Sequence, residues 1–167
     1  MDHPLPRKNP SLLKSFLILT AALCAVFVTG CETMDTGAES RAAMNEAIRA
    51  EAPGNYFIGR RMYKQDYKVW GWVREPGQPW RTAKLVMMNE QKMLNPDRAA
   101  SKIGYDNNYE YRLIGHFSGE RVYEPASDSF YPEFILEGAE VKSTTPANIY
   151  LTKRQNEPSV RILQPPQ

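Results

Sequence analysis

From Tyr56 onward the chain is written in short runs that alternate apolar or small residues with polar ones, separated by turn signals. This is the period-two pattern of half-buried strands, and the tyrosine, tryptophan and valine content fits it. Residues 67 to 74 place Tyr67, Val69, Gly71 and Val73 on one face and Lys68, Trp70, Trp72 and Arg74 on the other. Pro76-Gly77 then supplies a turn, with proline and glycine at its two central positions. Residues 82 to 88 read as the next strand, ended by Asn95-Pro96-Asp97. The cleanest alternation, Tyr109 to Phe117, predicts a strand with Tyr109, Tyr111, Leu113, Gly115 and Phe117 on its apolar side. Ser118-Gly119-Glu120 is expected to be a tight hairpin connection into Arg121-Val122-Tyr123, and residues 134 to 141 form the last strong strand. Gly71, Gly115 and Gly138 fall inside these runs, where glycine marks bulges and sharp bends. Five or six short bent strands predict a small closed barrel.

The flanks follow other rules. Residues 35 to 52 are rich in alanine and end at Pro53-Gly54, which predicts a helix with Met44, Ala47 and Ile48 on one face. That stripe is thin. It is expected to be a spacer, the alternative being a helix that packs Met44 and Ile48 on the barrel. After Val141 the pattern decays toward Pro158, Pro165 and Pro166, predicting a mobile tail from 143 to 167, with residues 149 to 151 or 160 to 162 able to add an edge strand. At the other end Arg7, Lys8 and Lys14 precede an uncharged run from Phe16 to Val28, closed by small residues. That is the layout of a secretory signal. Thirteen residues of helix reach roughly 20 Å, short of the ~30 Å hydrocarbon core.

Composition narrows the function. Of 21 basic and 19 acidic residues, Arg7, Lys8, Lys14 and Asp2 lie in the first thirty, so residues 31 to 167 carry 18 of each. A neutral domain lacks the cationic excess that drives nucleic-acid binding, and nucleic acid is not an expected partner. The same residues hold one histidine, His116, and one cysteine, Cys31, so no internal disulfide and no His/Cys zinc site is expected. His116 lies on the polar side of its strand, with no Gly-x-Ser-x-Gly elbow elsewhere. Glu120, Glu124, Asp128, Glu133, Glu137 and Glu140 are dense enough to raise the question of a carboxylate pair, although scattered acids ordinarily solvate a surface. Asp106 to Glu110 offers alternating oxygen ligands but lacks the glycine and closing glutamate of a calcium loop; a turn is expected. No catalytic residue, metal or cofactor is predicted.

The residues Val28-Thr29-Gly30-Cys31 resemble the lipobox of bacterial lipoprotein precursors. The resemblance implies diacylglyceryl transfer to the Cys31 thiol, cleavage after Gly30 and acylation of the new amino terminus. Glu32 in place of aspartate after that cysteine implies outer-membrane sorting. Conventional signal cleavage is the alternative; it would leave an exposed reactive thiol. The middle of the chain looks like an OB-fold-type barrel on residues 69 to 74, 112 to 117 and 134 to 141, and like the small envelope lipoproteins that join a lipobox to one β-barrel domain. Those likenesses imply a binding module without stored chemistry.

The expected architecture is therefore mostly β: a signal peptide over 1–30, a lipidated tether and helical stalk over 31–55, an OB-like barrel over 56–142 and a Pro-rich tail over 143–167. The expected function is a lipid-anchored envelope protein acting as a structural or protein-binding module. The alternative is a receptor for glycan, peptidoglycan or another small envelope ligand, through the face bearing Lys68, Trp70, Trp72 and Arg74, joined by Trp80. For Trp70 and Trp72 the competing expectation is burial on the barrel's outer wall beneath stalk or tail.

Overall fold

The computed structural model describes residues 36–161 and 163–167. The expected signal peptide, the lipobox-like residues and Cys31 lie outside the described residues.

Helix α1, Thr36–Arg49, is followed by β1 (Phe57–Arg61), β2 (Gly71–Arg74) and β3 (Lys84–Asn89). A four-residue helix α2 (Pro96–Ala99) precedes two fifteen-residue strands, β4 (Glu110–Glu124) and β5 (Ser129–Ser143). The five strands close into a barrel in the order β1-β2-β3-β5-β4, with β1 completing the ring against β4. All neighbours run antiparallel except β3 and β5, which pair in parallel from Met87↔Glu133 to Asn89↔Ile135. Closure pairs every strand on both sides around the ring, while β4 runs on beyond its ladder with β1, which ends at Phe57↔Leu113.

Two apolar clusters hold this together. Trp70, Val73, Val86, Tyr111, Leu113, Phe134 and Leu136 fill the barrel. Ile58, Met62, Val69, Trp72, Trp80 and Leu85 form a second layer that is covered by Ile48 of α1 and by Ile149 and Tyr150. The stalk is thus no free spacer at its carboxyl end: Ile48 is buried and Met44 packs beside it, as in the alternative that the sequence left open. The tail also departs from expectation. Ile149, Tyr150 and Gln155 are buried, and Lys64, itself buried, donates from Nζ to the carbonyls of Gln155 and Glu157 at 2.6 and 2.7 Å. The tail packs by side chains and by bonds to its backbone carbonyls, Gln65 N–H to Pro158 O at 3.1 Å among them, and adds no strand among the described residues. Its prolines are compatible with this because packing needs no ladder N–H.

Two bulges change the strands that the alternation predicts. Trp70 N–H donates to Val86 O while Gly71 pairs with the same Val86, so two residues of this strand face one of β3. Gly71 sits at φ +153°, and an added Cβ would lie 2.2 Å from Arg60 O. The extra residue flips the period: Val69 and Trp72 go to the outer layer, Trp70 and Val73 to the interior. The second concerns Ser118 to Glu120, expected as a hairpin. Phe117 pairs with Phe134 and Arg121 with Pro132, so these three residues bulge out of a continuous β4. The reversal comes instead at Pro125 to Asp128, where the Glu124 carboxylate accepts from the backbone N–H and hydroxyl of Ser127 at 2.8 and 2.7 Å.

Candidate functional site

The five residues nominated from the sequence do not form an exposed aromatic face. Trp70, Trp72 and Trp80 are 2, 6 and 1% exposed, and Arg74 is buried with them. Only Lys68 is on the surface. The bulge at Gly71 is the reason: it turns Trp70 into the barrel and Trp72 toward the tail, where its indole N–H donates to the Tyr150 hydroxyl at 2.8 Å. For Trp72, burial beneath tail and stalk is the arrangement observed.

Trp80 and Arg74 belong to a buried ring of charge. The guanidinium carbons of Arg74 and Arg60 lie 4.5 and 5.1 Å from the Trp80 ring centroid. Arg74 donates from both Nη atoms to Glu51, at 2.6 and 2.8 Å, and Arg60 donates to Glu110 at 2.8 Å. Lys142 bridges the two acids at 2.7 and 3.2 Å, closing the circuit. Burial alone would raise the Glu51 carboxyl, but hydrogen bonds from Arg74, Lys142 and the Gly77 N–H outweigh it and hold the group at about 2. The ring ties the segment just after α1 to β1, β2, β4 and β5, with every charged group paired although the Nε atoms of Arg60 and Arg74 are buried without a hydrogen-bond partner among the described residues.

A second buried set lies where α2 meets the end of β1. Arg61 donates to Trp70 O at 2.6 Å and to Asp97 at 2.9 Å, with its Nε 3.5 Å from Asp106. Tyr111 donates its hydroxyl to Asp106 at 2.9 Å. Burial raises the Asp106 carboxyl; at Asp97 the effect of burial is overcome by Arg61 and by the N–H groups of Gly104 and Arg98. Asn107 accepts from Tyr63 N–H and donates to Asn156 O, and Asn108 accepts from Arg60. The stretch that offered calcium-like ligands is a turn whose oxygens bind the protein itself.

One open concave surface is at the opposite end of the barrel, where β1 begins, β2 ends and β3 begins. Phe57, Phe117 and Phe134 pack edge to face there, with centroids 5.2 to 5.6 Å apart. Beside them is a cleft of about 590 Å³ lined by Lys84, Leu85, Phe117, Arg121, Phe130 and Glu133 among others. A smaller one of about 290 Å³, reaching to Phe57, Glu75, Gln78 and Thr82, shares Lys84 and Phe117 with it. Lys84 Nζ stands 4.7 Å over the Phe117 ring. One wall is an arm in which residues 121–124 and 129–132 pair only with each other, carrying the exposed rings of Tyr123 and Phe130 at 5.2 Å.

The carboxylates that raised the question of hydrolysis are spread apart by role. Glu124 caps the β4–β5 turn, Glu133 accepts from Asn89, Glu137 pairs with Lys92 and Glu140 with Arg112. His116 is on the surface, 3.7 Å from Glu137. Among the described residues no three His, Cys, Asp or Glu side chains gather as a metal site, and no helix is long and apolar enough to cross a membrane. No family model matches this chain, and neither the curated proteins nor the solved structures contain a match to it. The cleft residues Phe57, Lys84, Arg121 and Phe130 were missed in the sequence because nothing in their local pattern separates them from ordinary strand positions. The alternation did place Phe117, on the apolar side of its strand.

Proposed function

We propose that the protein is a lipid-anchored component of the bacterial cell envelope, held through an acylated Cys31 and facing the periplasm from the outer membrane, and that it works by binding a protein partner rather than by catalysis. The lipobox-like Val28-Thr29-Gly30-Cys31 supports the anchor. Two or three acyl chains at about 0.8 kcal/mol per buried methylene make such attachment effectively permanent. The strand order, with β3 parallel to β5 and a short helix between β3 and β4, supports an OB-type barrel, a fold that presents surfaces and loops to ligands. The observation that carries the binding reading is the β4–β5 arm: an exposed aromatic pair on a two-stranded ribbon beside an aromatic cleft is contact surface that the fold itself does not use. The glycan-receptor alternative loses the tryptophan face on which it was based, since Trp70, Trp72 and Trp80 are structural.

The test is the intact mass of the chain purified from membranes of an expressing bacterium, beside Cys31→Ala. A mass of residues 31 to 167 plus acyl groups, lost in the variant, is expected. An unmodified or conventionally cleaved chain would overturn the anchor and the envelope assignment with it.

A further inference from the structure

Three independent features meet at the barrel mouth. The first is the cleft, whose size is that of a ligand site and whose floor is aromatic. The second is backbone. The β1–β4 ladder ends at Phe57↔Leu113, so β4 continues for eleven residues, to Glu124, with β5 as its only strand partner among the described residues. Phe117, Gly119, Glu120 and Arg121 of this stretch line the cleft. On the far side of the arm, Pro132 removes a donor from β5, leaving β4 the better edge. The third is charge. Lys84, Arg121, Glu75 and Glu120 line the two clefts, and none of them has an ion-pair partner among the described residues.

We propose that the barrel mouth captures an extended peptide segment of a partner protein, which adds as a strand along β4 from Ile114 to Arg121 and seats an apolar side chain against Phe117. A strand edge is satisfied by main-chain N–H and C=O groups, which identifies a peptide rather than a sugar or a lipid. Lys84, Glu75 and Glu120, without ion-pair partners among the described residues, and Arg121, whose guanidinium donates only to the Phe130 carbonyl, suit a segment that carries both a basic and an acidic side chain beside the apolar one. Bulges occur at barrel rims next to binding sites, and the one at Ser118 to Glu120 breaks the regular ladder, which limits pairing with arbitrary strands. The inference rests on the protein-binding reading above and names its surface.

The test pans a phage-displayed library of random twelve-residue peptides on the full processed chain in detergent, then measures enriched peptides by fluorescence anisotropy. Enriched sequences are expected to alternate apolar and charged residues. Lys84→Glu and Phe117→Ala should each weaken binding at least about tenfold, as truncated hot spots do. His116→Ala should leave it unchanged. Methylating alternate backbone nitrogens of the peptide should abolish binding while methylating the intervening ones does not, because only every second N–H faces the neighbouring strand. Lys84 is exposed, so its variant reads out the site even if Phe117→Ala fails to fold. Failure to enrich any peptide, equal binding by Lys84→Glu, or methylation effects without alternation would overturn the proposal. An acylated chain that captures no peptide would sink the mouth alone; an unacylated chain that captures one would sink the anchor alone.

Discussion

Replacing Glu51 with glutamine tests whether the charge ring holds the segment that follows α1 against the barrel strands. The carboxylate takes hydrogen bonds from Arg74 at 2.6 and 2.8 Å, from Lys142 at 2.7 Å and from Gly77 N–H at 2.9 Å. Its Arg74 partner has a side chain only 1% exposed, so neutralising Glu51 strands a cation that water cannot reach. Removing one member of a buried pair costs about 3–5 kcal/mol, and the amide oxygen of glutamine recovers part of that. The titration gives a second route to the magnitude. A carboxyl lowered from 4.5 to about 2 would correspond to about 3 kcal/mol. Lys142 is 39% exposed, so solvent screens its share, and about 2 kcal/mol is the better expectation. Because the folded carboxyl is more acidic than the unfolded one, this contribution is complete above pH 4.5 and is lost as pH falls toward about 2. Urea unfolding followed by tryptophan fluorescence should therefore show Glu51→Gln less stable by about 2–3 kcal/mol at pH 7, with the gap closing as pH drops below 4.5. A variant within about 0.5 kcal/mol of wild type at pH 7, or a gap unchanged at pH 3, would refute the reasoning.

The two glycines at opposite ends of β2 should respond differently. Gly71→Ala forces a side chain into a +153° φ and against Arg60 O, and should prevent folding or lower the melting temperature by ten degrees or more, on the order of 3 kcal/mol. Gly77→Ala, at φ +74° with nothing within 4 Å, should cost about 1 kcal/mol by the same melt. Trp72→Phe deletes the donor to the Tyr150 hydroxyl and part of a buried ring; chemical denaturation should read a loss of about 1–2 kcal/mol, with faster hydrogen exchange in residues 148–156.

Much of the strand content was legible because alternation is a local property. The apolar side predicted for Tyr109 to Phe117 includes Tyr111 and Leu113, both fully buried inside the barrel, and Pro76-Gly77 turns where expected, with Gly77 at the positive φ that such a turn requires. The alternation failed at the bulges. One extra residue at Trp70-Gly71 exchanges faces, and the glycine that signals a bend does not say on which side of it the period slips. Ser118-Gly119-Glu120 has turn composition, yet fifteen-residue partners on both sides of the ladder keep β4 running through it. The site was less legible than the fold. Nothing in the local pattern marks the adjacent Arg60 and Arg61 or Lys64 as buried, since their burial depends on Glu110, Asp97 and the carbonyls of Gln155 and Glu157, all distant in the chain. The cleft depends on β4 outrunning β1, a difference in strand length that no single segment encodes.

The tail across the outer wall also sets a timetable. Trp72 waits 78 residues for the hydroxyl that receives its indole proton, and Arg60 waits 50 for Glu110. A chain delivered from its amino end, by a ribosome or through a pore, cannot close the ring until β5, which joins β3 to β4, has emerged. It cannot cover Ile58, Val69 and Trp72 until Ile149 and Tyr150 have followed. Contacts this remote in sequence are formed late and slowly. The domain therefore stays threadable for most of its own delivery, and the last twenty residues act as the closing stitch of the core rather than as its trailing end.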